Sequence, residues 1–466
     1  MPLILGTNSI KDTGYDVANS CRFFNNTQLK RTNGSPTNAY KGTFSAWVKR
    51  SALSSTRLFQ NMVDGNNYAW LAFNSSHQLE VVCVVSGSTY CDYKTNRLFR
   101  DVSAWLHIVV EMDTTEGTAT NRMKFYVNGV QETSFATQTF NGGQNSNHPL
   151  LIASTTNYHT IGASEANTLN LDGYMTEVVL LDGQALDPTS FGEFDSNSPN
   201  IWKPIDVSGL TFGNNGYYLD FEDSGNLGDD ESGNGNDFTE VNLSATDQST
   251  DTCTNNFATL NPLAVMHSSG SNTFSEGNLK ITNSADAFRT SISTLAVSKG
   301  KWYFESKWSG GEMKQYIGIT KTQEVMEYLG QTANSYSFQG EQGRKYNNNS
   351  QSSFGSTASS GDIIMVAFDA DNGAIWTGKN GTWFNSATQS EIEAGTTTNA
   401  MFSSITIDDF FAVGVTVEDS NLEINFGSPP FSISSGNSDG NGYGNFEYSV
   451  PSGYYSINTK NLAEFG

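Results

Sequence analysis

The chain has 466 residues, 16% of them charged and 12% aromatic, with 44 glycines against 10 prolines. Lys and Arg number 25 against 48 Asp and Glu, a formal charge of −23, and a field of that sign repels nucleic acid, so neither DNA nor RNA is expected as a main partner. The length exceeds one ordinary sandwich core and suggests two or three domains, while the wealth of Gly, Asn, Ser and Thr favours short strands and tight turns, so the expected fold class is all-β.

The opening MPLILGTNSI lacks a basic stretch and has a short apolar run, so no secretory signal is expected there. No segment reaches the ~18 to 20 apolar residues that span a bilayer, and no membrane insertion is expected. Residues 1–200 read as one β-sandwich. FSAWVKR (Phe44 to Arg50), NYAWLAF (Asn67 to Phe73), QLEVVCVV (Gln78 to Val85), WLHIVVEMD (Trp105 to Asp113) and MKFYVNGV (Met123 to Val130) are strand-like, with turn residues between them. A hairpin centred on Gly87 sets Cys83 opposite Cys91, a disulfide candidate; the alternative is two reduced, small core residues, the usual state in a cytoplasm. The four cysteines, Cys21, Cys83, Cys91 and Cys253, lack CxxC spacing, which argues against zinc. The histidines, His77, His107, His148, His159 and His267, are scattered, and His107 inside WLHIVV reads as a packed strand residue.

Residues 201–265 read as an acidic β-rich connector, with apolar patches at Leu210 to Phe212 and Tyr217 to Phe221 around a polar loop. Asp220, Glu222 and Asp223 put two carboxylates on one face, but SGN follows them, and a solvated turn is the plainer reading. Asp229, Asp230 and Asp237 offer the oxygen ligands calcium prefers, against a default of an exposed acidic loop. No other cofactor is expected.

Residues 266–430 read as a second sandwich, centred on GDIIMVAFDADNGAIWTGKNGTWF from Gly361 to Phe384. Ile363, Met365 and Ala367 on one side and Ile364, Val366 and Phe368 on the other describe a strand buried on both faces. Asp371-Asn372-Gly373 and Lys379-Asn380-Gly381 close it into a three-strand antiparallel meander. TQEVMEYLG, Thr322 to Gly330, would make one short helix or a loop. Residues 431–466 begin as a Ser/Gly/Asn-rich flexible linker and end in an aromatic segment expected to dock. Gly436 to Gly440, GNSDG, matches a serine-nucleophile pattern by letters only, because it lies in that linker.

Two loops combine planar polar groups with an aromatic ring, as a sugar site requires: Asp64, Asn66, Asn67 and Tyr68 in the first module, and Tyr346, Asn347 and Asn348 in the second. Asn-rich loops are also good turn formers, so each has a purely structural alternative. No catalytic residue is assigned.

The WxH strand, the F/Y-x-V-N-G hairpin, IG, and GYMTEVVLLDGQALDP resemble laminin G-like, concanavalin A-like jelly rolls over about Thr43 to Pro188. KGKWYFESKW at Lys299 to Trp308, YIGI at Tyr316 to Ile319, FDADNG, KNG and AVGVTVEDSNLEINFG ending at Gly427 resemble the SPRY family of β-sandwich recognition modules. With WKPIDVSGLTFG, YLDFEDS, SGNGNDFT and TNNFATLNP between them, the whole resembles virion structural proteins of marine tailed bacteriophages. That resemblance implies a non-enzymatic tail fibre or head-decorating protein of the virion, assembled in the host cytoplasm and released by lysis. It also implies contacts with other virion proteins and with bacterial surface polysaccharide, and a homo-oligomer, by analogy a trimer, that would bury the connector aromatics. A polysaccharide depolymerase and a purely structural capsid or tail decoration are the alternatives.

Overall fold

Period-two patterning decides the first unit: along Asn67–Phe73, Ala69, Leu71 and Phe73 are buried while Tyr68 and Trp70 lie half-exposed on the opposite face. The computed structural model describes residues 11–151, 153–264, 266–267, 270–311, 313–322 and 324–466, the side chains of 154–157 excepted. The opening MPLILGTNSI therefore lies outside the described residues. Residues 13–254 form one unit, and residues 255–466, with Lys11 and Asp12, form another.

In the first unit two eight-stranded antiparallel sheets face each other. One runs in the order Val130–Glu132, Met123–Val127, Trp105–Asp113, Lys41–Arg50, Gly173–Asp182, Ser20–Phe23, Gln248–Ser249, with Tyr217–Leu219 also paired to Gly173–Asp182. The other runs Phe135–Phe140, Ser88–Leu98, Gln78–Val85, Asn67–Phe73, Thr56–Asp64, Ser154–Ile161, Gln28–Asn33, Thr239–Val241. Phe44, Phe59, Leu71, Val81, Val110, Phe125, Met175 and Leu180 fill the space between, Phe44 and Phe59 stacking at 5.0 Å.

The boundary expected at residue 200 is corrected. Tyr217–Leu219, Thr239–Val241 and Gln248–Ser249 each pair with a strand of the first sandwich, and Tyr217, Leu219, Phe221, Leu227 and Phe238 are part of its core. The connector is thus sandwich as far as Thr254, because its apolar patches complete sheets that would otherwise end in bare edges. The rings assigned to an oligomer interface are buried within the chain itself. Two polar anchors fasten the segment. Lys49 Nζ lies 2.6 Å from Asp251 Oδ2, both side chains almost wholly buried, and Trp105 Nε1 donates to Asp251 Oδ1 at 3.1 Å. Trp202 Nε1 donates to His107 Nδ1 at 2.9 Å, and Ser45 Oγ lies 2.8 Å from His107 Nε2. His107 is a packed strand residue stacked on Trp47, its pKa lowered to about 3 by burial. Gly129, at φ +75°, passes so close to the Trp202 ring that a Cβ would lie 2.3 Å from it.

The second unit pairs an eight-stranded with a six-stranded sheet. Ile363–Asp369, Ala374–Lys379 and Thr382–Trp383 form the expected meander, with Asn380 at φ 49° and Gly381 at φ 80° making the tight turn. Its first strand, Ile363–Asp369, is buried on both faces for a concrete reason. Ile364, Val366 and Phe368 enter the inter-sheet core with Trp302, Phe304 and Trp308, while Met365 and Ala367 pack under Tyr303, Trp376, Ile392, Phe446 and Tyr454. Thr322 to Gly330, of which Gln323 lies outside the described residues, is a loop whose Met326 and Leu329 are buried against Tyr316. The tail is ordered where composition predicts a flexible linker. Glu305 accepts Glu447 N at 3.0 Å and Tyr448 N at 2.9 Å, Asp439 accepts Ser456 N at 2.9 Å, and Tyr455–Ser456 pairs parallel to Lys301–Ser309. A closing helix, Thr459–Phe465, is capped by Asn458.

Replacing Asp251 with alanine removes the carboxylate facing a buried ammonium, and such losses cost about 3–5 kcal/mol. The Asp251→Ala protein is expected to unfold at lower urea than wild type, with the first unit's transition shifted and the second unit's unchanged.

Candidate functional site

The strand Asn67–Phe73 is central to its sheet, so whatever its outward residues carry is displayed on the middle of a broad face. Tyr68 and Trp70, two residues apart, point the same way and stack with ring centroids 5.2 Å apart and planes 4° apart. The Arg57 guanidinium lies 4.0 Å over the Trp70 ring. Trp70 Nε1 donates to Glu80 Oε1 at 3.2 Å, Asn74 Nδ2 donates to Glu80 Oε2 at 3.1 Å, and Arg57 reaches Glu80 at 3.7 Å. The indole is therefore held from its edge and from one face by polar groups. Along the same register row stand Asp92, Val82, Trp70, Gln60, Thr160 and Lys30, paired strand to strand across the sheet. Asp92 Oδ1 is buried without a hydrogen-bond partner. Half-exposed rings flanked by an amide, a guanidinium and carboxylates are the chemistry that binds a sugar ring by stacking while bonding its hydroxyls.

Of the residues expected from sequence, Tyr68 belongs to this arrangement. The others of its group shape the loop beside it. Asp64 Oδ1 accepts Asn66 N at 2.7 Å and Asn67 Nδ2 at 3.0 Å, and Asn67 Oδ1 accepts Ser86 N at 2.9 Å. Asp64 and Asn67 thus spend polar atoms tying two neighbouring hairpin tips together. Trp70 and Arg57 escape a search for polar loops; the signal that finds them is the strand's alternation, which puts Trp70 outward with Tyr68.

In the second module Asn348 and Asn349, at φ 50° and 57°, form the two-residue turn between Arg344–Asn347 and Ser350–Ser353. Asn347 Nδ2 donates to Ala333 O at 3.1 Å and Ser335 O at 2.9 Å, and Tyr346 packs edge-on against Tyr316 at 5.3 Å and Tyr328 at 6.0 Å. These side chains hold a hairpin and a tyrosine cluster. A cleft of about 490 Å³ lies elsewhere on the module, lined by Phe354, Lys379, Asn380, Trp383, Phe384 and Asn385 among others.

The acidic stretch divides by role. Asp230 Oδ1 accepts Tyr218 N at 2.9 Å and Ser232 N at 3.0 Å, Asp230 Oδ2 accepts Asn236 N at 2.8 Å, and Asp237 Oδ1 accepts Asp230 N at 3.2 Å. Asp229, Asp230 and Asp237 are not brought together as a three-ligand set; among the described residues that arrangement is made by Cys83, Cys91 and His148. Cys83 and Cys91 do pair across the hairpin as expected, and both are free thiols rather than a disulfide. Asp220 Oδ1 accepts Glu222 N at 3.0 Å and Asp223 Oδ1 accepts Gly225 N at 2.8 Å, so this cluster is a turn.

One carboxyl escapes sequence reasoning. Glu177 sits at φ 49° in a β-bulge of Gly173–Asp182, where register shifts between Thr176 and Val179 opposite Lys41–Arg50. The bulge sends it to the outer face, where Tyr218 Oη donates to it at 3.0 Å and Tyr15 Oη at 3.4 Å. Burial pushes its pKa up to about 8, helped by Asp220 and opposed by the tyrosine hydrogen bonds.

A laminin G-type family model, described as the concanavalin A-like lectin/glucanases superfamily, matches residues 24–190, and a SPRY domain model matches residues 301–429. No curated protein matches the chain. Among solved structures, the SPRY domain of human HERC1 is 14% identical over 35% of this chain and 96% of its own, with a TM-score of 0.28. A native heptameric SAP-like pentraxin from Limulus polyphemus is 17% identical over 37% and 80%, at 0.27, and a human SPRY domain is 16% identical over 31% and 90%, at 0.24. The chain carries a concanavalin A-like, laminin G-like module and a SPRY module.

Glu177 yields a pH prediction. Its folded pKa, about 8, lies above the ordinary 4.5, so the native state holds the proton more tightly than the unfolded chain. Its contribution is full below pH ~4.5 and is lost as pH rises to ~8, by roughly a few kcal/mol. Relative to wild type, Glu177→Gln is expected to gain stability between pH 5 and pH 8.5 in parallel urea titrations; an unchanged difference would place the carboxyl in an ordinary environment.

Proposed function

We propose that this two-module chain acts by binding and not by catalysis, with the outward Tyr68–Trp70 face of its concanavalin A-like module as a site for polysaccharide. The observation that carries the reading is the parallel Tyr68–Trp70 stack, half-exposed at the middle of a sheet and flanked by Arg57, Glu80 and Gln60. The faces of the indole are taken by Tyr68 and Arg57, so a sugar laid against the exposed edges of the Tyr68 and Trp70 rings would place its hydroxyls near that guanidinium and carboxylate. We place the protein on a bacteriophage particle, as a tail fibre or head-decorating component that contacts other virion proteins and a host surface glycan. This placement rests on the resemblance of the WKPIDVSGLTFG, YLDFEDS and TNNFATLNP segments. Copies repeated on a particle, as a homo-oligomer and by analogy a trimer, would multiply weak sugar contacts through avidity.

A depolymerase is the second reading, and Glu177 is the observation in its favour, since a carboxyl kept protonated near neutrality is what a general acid requires. Against it, Glu177 is only 5% exposed and is held by tyrosine hydroxyls, which suits a structural acid.

The deciding experiment incubates the purified chain with a panel of bacterial surface polysaccharides and reads both retention and new reducing ends. Retention without cleavage is expected, with Trp70→Ala lowering affinity about tenfold or more while the circular dichroism spectrum stays unchanged. Cleavage that disappears in Glu177→Gln would favour the depolymerase, and no retention at all would favour a purely structural decoration.

A further inference from the structure

Two cysteines and a histidine meet inside the first module, away from the Trp70 face. Cys83 and Cys91 are directly opposite on neighbouring strands, and residues 141–151 lay His148 against them. One ligand atom from each lies within 4.8 Å of the other two, and all three residues are 0% exposed. The approach of the histidine is fixed by the backbone: His148 N donates to Ala39 O at 2.8 Å, Leu151 N returns to His148 O at 2.9 Å, and the ring meets Tyr90 edge-on at 5.9 Å. His148 Nδ1 accepts Leu150 N at 3.3 Å, whereas Nε2 is buried with no hydrogen-bond partner. An unsatisfied ring nitrogen in an interior is costly unless something fills its place.

We propose that Cys83 Sγ, Cys91 Sγ and His148 Nε2 form a binding site for one soft d10 metal ion, Zn2+ or Cu+. Thiolate and imidazole donors select these ions over hard cations such as calcium or magnesium. Each thiol loses its proton as its sulfur bonds the metal, so two protons leave per ion bound, and no electron is transferred. The imidazole stays neutral, its proton moving from Nε2 to Nδ1 at the expense of the long 3.3 Å contact with Leu150. Charge and geometry pull toward different ions. Two thiolates neutralise Zn2+ completely, which suits a site shut off from water, but tetrahedral Zn2+ takes a fourth ligand beyond these three side chains. Cu+ is content with three donors and leaves one net negative charge. Either ion would cross-link the hairpin Gln78–Val85/Ser88–Leu98 to the segment that carries His148.

The test titrates the full chain, purified under reductant and then freed of it anaerobically, with Zn2+ against a chromophoric zinc chelator and with Cu+ against a chromophoric copper(I) chelator. One equivalent of one ion is expected to bind, to release about two protons in weakly buffered solution, to raise the melting temperature and to protect two thiols from alkylation at a urea concentration that exposes them in the metal-free chain. Cys91→Ser is expected to abolish binding and His148→Gln to weaken it at least about tenfold. Cys253→Ala is expected to leave it unchanged. Because buried variants can misfold, the wild-type proton release and thiol protection stand as an independent readout. Failure of the reduced wild type to hold either ion against the chelators would overturn the proposal, as would binding that survives in Cys83→Ser and Cys91→Ser. Isolation of a Cys83–Cys91 disulfide from a protein whose reduced form takes no metal would overturn it in favour of a redox pair.

Discussion

The buried carboxylate that accepts backbone N–H groups is the constraint on which both units rest. A chain with 36% hydrophobic residues and 44 glycines has long stretches that cannot order themselves by apolar burial alone. Asp182 accepts Thr37 N at 2.7 Å and Asn215 N at 3.1 Å and so joins two distant loops beneath the first sandwich's edge. Asp230 organises the acidic loop, and Glu305 and Asp439 the tail. A charge-assisted bond to a main-chain donor is roughly twice as strong as a neutral one, and each such carboxylate collects two or more. The surplus of acidic residues, read from sequence as a surface field, is therefore partly an internal scaffold.

That division explains what was legible in the sequence. Strands whose neighbours lie close in the chain could be read from alternation and turn chemistry: Ile363–Asp369 through Thr382–Trp383 follows from Asn380-Gly381, and Cys83 opposite Cys91 from Gly87. The pairing of Ser20–Phe23 with Gln248–Ser249 could not, because strands of four and two residues are too short to carry a clear periodicity and their partners are remote. The same blindness makes residues 431–445 read as a linker. Composition reports the cost of ordering Gly, Ser and Asn, but not the Glu305 and Asp439 carboxylates, which lie outside or within the segment with partners elsewhere.

The candidate site was legible by half for a related reason. Tyr68 was found because it adjoins an Asn-rich loop, yet the loop's amides are occupied in holding hairpin tips, and the displayed chemistry begins on the strand itself. Loop composition marks where a chain turns; outward parity on a central strand marks what it shows. The Cys83, Cys91 and His148 group illustrates the opposite case, in which neither spacing nor composition carries a signal and only the tertiary approach of a separate segment assembles the donors.

Affinity sets a limit on how such a face can be used. Aromatic stacking adds about 0.5–1.5 kcal/mol beyond area burial, so one indole with a few flanking polar groups gives a weak site for any single sugar. Strength must then come from repetition through several copies of the chain, because Gln60 and Thr160, next along the register row, are buried and offer no further subsite. The connector aromatics cannot supply the contact between copies, since Tyr217, Tyr218, Phe221 and Phe238 are enclosed by their own sandwich. An assembly of several copies must be built from other surfaces, and the Trp70 face must remain open within it for the sugar-binding reading to hold.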